Sequence, residues 1–139
     1  MDFSVVTFGI AIIIVGALIF LAIILTGKKS YTFDKIEYQT SFLRIENGLE
    51  KSNPATYDLS LVEADKLLDK ALSEMGVPGK TMGDRLKKSA DKFTALNSVW
   101  YAHKLRNQIA HEHGFHVEYS QARHALETYK QALQDLGAI

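Results

Sequence analysis

One short run, KLRNQIAHEHG from Lys104 to Gly114, crowds an arginine, an amide and two histidines together at Arg106, Asn107, His111 and His113. A histidine near its ordinary pKa takes or gives a proton at neutral pH. A guanidinium grips a phosphate through parallel hydrogen bonds and stabilises the added charge of a phosphoryl transition state. An amide such as Asn107 orients an imidazole or a phosphate oxygen. Arg106, Asn107 and His111 together suffice for metal-free cleavage of RNA, in which the imidazole activates a ribose 2′-hydroxyl against its own 3′-phosphate. That chemistry requires RNA, because DNA lacks the hydroxyl.

Leu105, Ile109 and Ala110 keep a helical apolar rhythm through the same run. On a helix, Asn107 and His111 share a face, whereas Arg106 and His111 diverge by about 140°. One helix does not easily aim both at one small group. Two copies across a twofold axis could line a shared cleft with both. The plainer alternative is a polar helix end, with Arg106 bridging to Glu112 or to another helix and Asn107 hydrogen-bonding across a tight helix contact.

The surrounding charge favours a polyanion locally although the whole chain is formally neutral. From Lys80 to Arg106 there are seven basic residues (Lys80, Arg85, Lys87, Lys88, Lys92, Lys104, Arg106) against Asp84 and Asp91. Such a surface attracts a phosphate backbone, with Lys104, Arg85 and Lys88 as candidate phosphate contacts. The run Arg85 to Lys88 can equally be a solvated face, or lie near anionic lipid headgroups. His103, His111, His113 and His116 invite a metal, yet His111 and His113 point to different faces and no familiar carboxylate–histidine spacing is present. The expectation is no metal and no cofactor. His113 and His116 fit a solvated turn, and His124 a surface position. Trp100 follows Leu96 by four and fits packing, while Tyr101 stays open between packing and base stacking.

The elements that must hold these residues are helical. The 139-residue chain has no cysteine, two prolines and no useful stretch of period-two alternation. Without cysteine there is no disulfide framework, thiolate metal site or cysteine nucleophile. Val5 to Leu25 reads VVTFGIAIIIVGALIFLAIIL, uncharged throughout. A helix of that length is roughly 30 Å long, matching a bilayer's hydrocarbon core. Only Asp2 precedes it and Lys28, Lys29 and Lys35 follow it. This pattern predicts an uncleaved single-pass anchor in the cell membrane, N-terminus outside and the rest cytoplasmic. Gly9 and Gly16 share nearly one face of it, a weak helix-packing signal.

Three segments are expected: an anchor over 1–27, a linker over 28–32 and an all-α, antiparallel bundle of four to five helices over 33–139. Phe33, Ile36, Thr40, Leu43 and Leu49 mark a first bundle helix to about Lys51, broken by SNPAT. A second starts near Asp58 or Ser60, carries Leu61, Ala64, Leu68, Ala71, Leu72 and Met75, and ends at Gly76. Thr81 caps a third through Leu86 to about Phe93. A fourth spans about Thr94 to Glu112, and a fifth about Ser120 to Leu136, closed by Gly137.

RNQIAH resembles the R-x4-6-H motif of the HEPN superfamily (higher eukaryotes and prokaryotes nucleotide-binding domains), with Asn107 as the polar residue that usually follows the arginine. The flanks EADKLLDKALSEMGVPGKTMGDRLKK and VWYAHKLRNQIAHEHGFHVEYSQARHALETYKQAL are similar to small prokaryotic members, so the resemblance covers about Phe33 to Leu136. It implies a helical bundle, frequently a homodimer. It also implies metal-independent endoribonuclease activity in many members, with a composite cleft at the dimer interface and Arg106, Asn107 and His111 as its catalytic set. Other members are scaffolds, protein partners or nucleotide-binding modules. The expectation is therefore a membrane-anchored endoribonuclease, with a non-catalytic interaction or nucleotide- or RNA-binding module as the alternative. A membrane anchor departs from the commonest family layout.

Overall fold

The computed structural model describes residues 3–26 and 31–139. Asp2, Lys28 and Lys29, which carry much of the flanking-charge argument, and most of the expected linker over 28–32 lie outside them. The described residues are helical and irregular, with no strand among them. The chain divides into two units, 1–31 and 32–139.

The first unit is one helix, α1 (Phe3–Thr26), with no charged residue. The Thr7 hydroxyl donates to the carbonyls of Phe3 and Ser4 at 3.1 and 3.0 Å, so the helix satisfies that group internally. The stretch Phe3–Leu25 is long and apolar enough to cross a membrane, criteria a signal sequence also meets.

The second unit is a helical bundle of α2 (Lys35–Gly48), α3 (Ala55–Glu74), α4 (Met82–Lys88), α5 (Leu96–His111) and α6 (Tyr119–Leu136), with a single 3-10 turn at Ala90–Lys92. Helix α3 is the centre and packs against each of the others. Its stripe Leu61, Ala64, Leu68, Ala71 and Leu72 is fully buried. Each such leucine contributes about 1.5–3 kcal/mol of burial.

Helix α2 uses a different face from the one its sequence suggested. Tyr38, Phe42 and Ile45 are buried, whereas Ile36 and Leu43 are 77% and 54% exposed. The inward face is aromatic, and Tyr38 remains buried because its hydroxyl donates to Glu74 of α3 at 2.9 Å. Helix α2 also stops at Gly48, short of Lys51.

Helix α3 begins earlier than expected. Pro54 has φ −58° and sits directly before its first residue, where a missing N–H costs nothing and the ring fits the helical φ. Thr81 does cap α4. Its hydroxyl accepts from the Asp84 N–H at 3.1 Å, and the Asp84 carboxylate accepts from the Thr81 N–H at 3.3 Å. The helix is shorter than expected and ends at Lys88, because Ser89 turns its hydroxyl back onto the Arg85 carbonyl at 2.7 Å. Two pins fix α5 at its ends. Thr94 donates its N–H and hydroxyl to Asp135 of α6 at 2.8 and 2.9 Å. Beyond the other end, Asp58 of α3 accepts from the Val117 N–H at 3.0 Å and bonds His116 at 2.6 Å. His116 is thus exposed yet tied down, and His113 and His124 are exposed as expected.

Candidate functional site

Helix α5 carries its apolar residues Val99, Ala102 and Leu105 inward, which fixes its rotation about its axis. That rotation turns His103, Arg106, Asn107 and His111 toward a cleft of about 600 Å³. The far wall is α3, through Asp65, Lys66 and Asp69, and the floor is the start of α4, through Thr81 to Asp84 and Lys87. Gly83 matters here. A Cβ at that position would lie 3.8 Å from His103 Nε2 and 3.9 Å from the Trp100 ring, in ordinary contact with both, so the glycine keeps that part of the floor open.

Behind the cleft lies a chain of hydrogen bonds closed into a ring by one ion-pair contact. Asp65 is buried on α3, and its Oδ1 accepts from the Tyr129 hydroxyl at 2.9 Å and from His103 Nδ1 at 2.8 Å. A carboxylate only accepts, so Nδ1 of His103 carries the proton and Nε2 is an acceptor in the neutral ring. The Asn107 amide nitrogen donates to it, 3.1 Å from Nε2. Its oxygen then accepts from Arg106 Nη1 at 3.3 Å. Arg106 Nε closes the loop as an ion-pair contact 3.4 Å from Asp65 Oδ2, at an angle outside hydrogen bonding. Burial, reinforced by the Asp65 charge, pushes the Tyr129 hydroxyl well above its ordinary pKa of 10.0. Tyr129 is therefore a fixed donor at neutral pH.

Three carboxylates border the cleft, and each is already engaged. Asp65 sits in the circuit, Asp69 is paired with Arg85 at 2.8 Å, and Asp84 is held by the α4 cap. The lysines on the rim, Lys66 and Lys87, are exposed and make no ion pair among the described residues.

The expected residues are distributed unevenly. Arg106, Asn107 and His111 all border this one cleft within a single chain. The roughly 140° divergence on the helix does not separate them, because the cleft wraps around the side of α5 and the arginine side chain is long. Asn107 does orient an imidazole, but that of His103, four residues back, rather than that of His111. Arg106 bridges to α3, not to Glu112; Gln108 is the partner of Glu112, at 3.1 Å. Of the candidate phosphate contacts, Arg85 is committed to Asp69 with its side chain only 15% exposed. Lys88 is exposed but does not border the cleft, a place its neighbour Lys87 takes. Lys104 borders a second, shallower groove with Trp100 and Tyr101.

Sequence reasoning missed Asp65, Tyr129 and the role of His103. Two signals could have found them: a carboxylate one residue from the apolar stripe of α3, and the four-residue step His103, Asn107, His111 along α5. Among the described residues, no three histidine, aspartate or glutamate side chains gather closely enough to hold a metal ion. No protein-family model, curated protein or solved structure matches the chain.

Proposed function

We propose that this chain is a membrane-anchored, HEPN-like endoribonuclease that cuts RNA without a metal. The observation that carries the reading is the convergence of Arg106, Asn107 and His111 on one open cleft whose rim holds two lysines that make no ion pair within 4 Å among the described residues. Lys66 and Lys87 draw the phosphate backbone in. Arg106, held by Asn107 and Asp65, keeps most of its five N–H donors for the scissile phosphate. His111 is exposed and takes the proton of the ribose 2′-hydroxyl. The 2′-oxygen attacks phosphorus, the bond to the 5′-oxygen breaks, and a proton passes to that oxygen. The products are a 2′,3′-cyclic phosphate and a 5′-hydroxyl. The resemblance adds a homodimer with a composite cleft at its interface, to which each copy contributes Arg106, Asn107 and His111. The flanking lysines add an orientation with the bundle in the cytoplasm.

The full chain in detergent, with EDTA present, should cut single-stranded RNA to 2′,3′-cyclic phosphate ends and leave the all-deoxy strand intact. His111→Ala should lower the rate by about a hundredfold or more with unchanged helical circular dichroism. Equal cutting by that variant would remove His111 from the mechanism.

One observation favours a second reading, a membrane-tethered RNA- or nucleotide-binding or protein-interaction module without chemistry. Asn107 spends both ends of its amide on His103 and Arg106, as a structural residue would. On that reading RNA binds to the cleft and is released uncut, and Arg106→Ala abolishes binding alone.

A further inference from the structure

On the other side of α5 from the apolar core, a groove of about 450 Å³ is bordered by Asn97, Trp100, Tyr101, His103, Lys104 and Asn107. Three of these, Trp100, His103 and Asn107, also border the main cleft, so the two depressions share a wall. We infer that this groove is a nucleobase-stacking subsite for the strand whose phosphate lies against Arg106. The inference rests on the RNA reading for the identity of the strand, and on the groove itself for the base.

Four features of the groove select a base. Trp100 is partly buried and meets the His103 ring edge-on, with centroids 6.1 Å apart and planes at 70°, so the indole is already fixed before anything binds. Tyr101 is a large aromatic left 47% exposed, with no ring partner among the described residues. Stacked bases use such surfaces whatever their sequence, because every base has a π-face. Asn97 is exposed and its amide makes no hydrogen bond among the described residues, which leaves a donor and an acceptor for a base edge. The charge is one-sided. Lys104 is exposed and makes no ion pair among the described residues, and no carboxylate borders the groove, although three border the cleft beside it. A polyanionic strand is attracted there and an acidic peptide has no advantage in aromatic stacking. Trp100 and Arg106 are about 9 Å apart along the axis, within reach of one nucleotide and its neighbour.

The chain has a single tryptophan, so its fluorescence reads this groove directly. The full chain in detergent is titrated with adenosine 5′-monophosphate, ribose 5-phosphate and inorganic phosphate. The nucleotide should quench Trp100 saturably, and neither base-free phosphate should. Tyr101→Ala, at an exposed position that the fold does not need, should weaken nucleotide binding roughly tenfold. Absence of quenching, equal quenching by ribose 5-phosphate, or an unchanged affinity of Tyr101→Ala overturns the subsite. So does a tryptophan spectrum that shifts with protein concentration and blocks the nucleotide, since a second copy then covers the groove. The cleavage assay is read separately. Quenching without cutting leaves the base subsite standing and removes the nuclease, and cutting without quenching does the reverse.

Discussion

At the residue scale, the position with most leverage is Asp65. A buried carboxylate is tolerable only while its partners remain, and here they come from α5 and α6, at His103, Arg106 and Tyr129. Asp65→Ala leaves an imidazole proton and a phenol without acceptors, and should cost about 3 kcal/mol in urea unfolding. Tyr129→Phe removes one donor and fills the same space, and should cost only about 1 kcal/mol. An order in which the phenylalanine variant is the less stable of the two would contradict this division of labour. The raised Tyr129 value has a sign of its own. Its contribution to stability is complete below pH 10 and is lost as pH rises toward the higher folded value. None of this was legible in the sequence beyond an acid near an apolar stripe, because its meaning depends on groups 38 and 64 positions away.

At the element scale, the helices themselves were legible and their rotations less so. The stripe on α3 and the Thr81 cap on α4 read directly from spacing and residue type. Helix α2 did not, because apolar residues lie on both its faces and only tertiary packing selects Tyr38, Phe42 and Ile45 over Ile36 and Leu43. The start of α5 depends on a tether that spacing cannot reveal, Thr94 to Asp135. Partial burial would raise the Asp135 value. The Thr94 N–H, the Gln131 amide and the Thr94 hydroxyl together outweigh it and hold the carboxyl below its ordinary 3.8. A lowered carboxylate stabilises the fold above the unfolded value and loses that effect as pH falls through the folded one. Asp135→Asn should therefore cost roughly 1 kcal/mol near neutral pH. The gap to the parent in thermal unfolding should close below pH 3.8 as Asp135 takes up its proton. A gap that stays constant through that range would mean the carboxylate's charge is not what holds Thr94.

At the scale of the whole molecule, 32–139 has its own core and α1 has none, so the two parts should separate cleanly. A chain beginning at Thr32 should keep its cooperative unfolding and stay in the aqueous phase, while the full chain pellets with membranes and resists alkaline carbonate. Loss of cooperativity on removing α1 would show instead that the bundle borrows stability from it. Within the bundle, the circuit Asp65, His103, Asn107, Arg106 joins α3 to α5, with Tyr129 adding α6. Three of the ring's four links are hydrogen bonds, and the fourth, Arg106 Nε to Asp65 Oδ2, is an ion-pair contact. The ring is a keystone: one carboxylate fastens three helices, and the side chains that face the cleft are also what holds the fold behind it, so a change made to probe the site is felt in the seams between α3, α5 and α6.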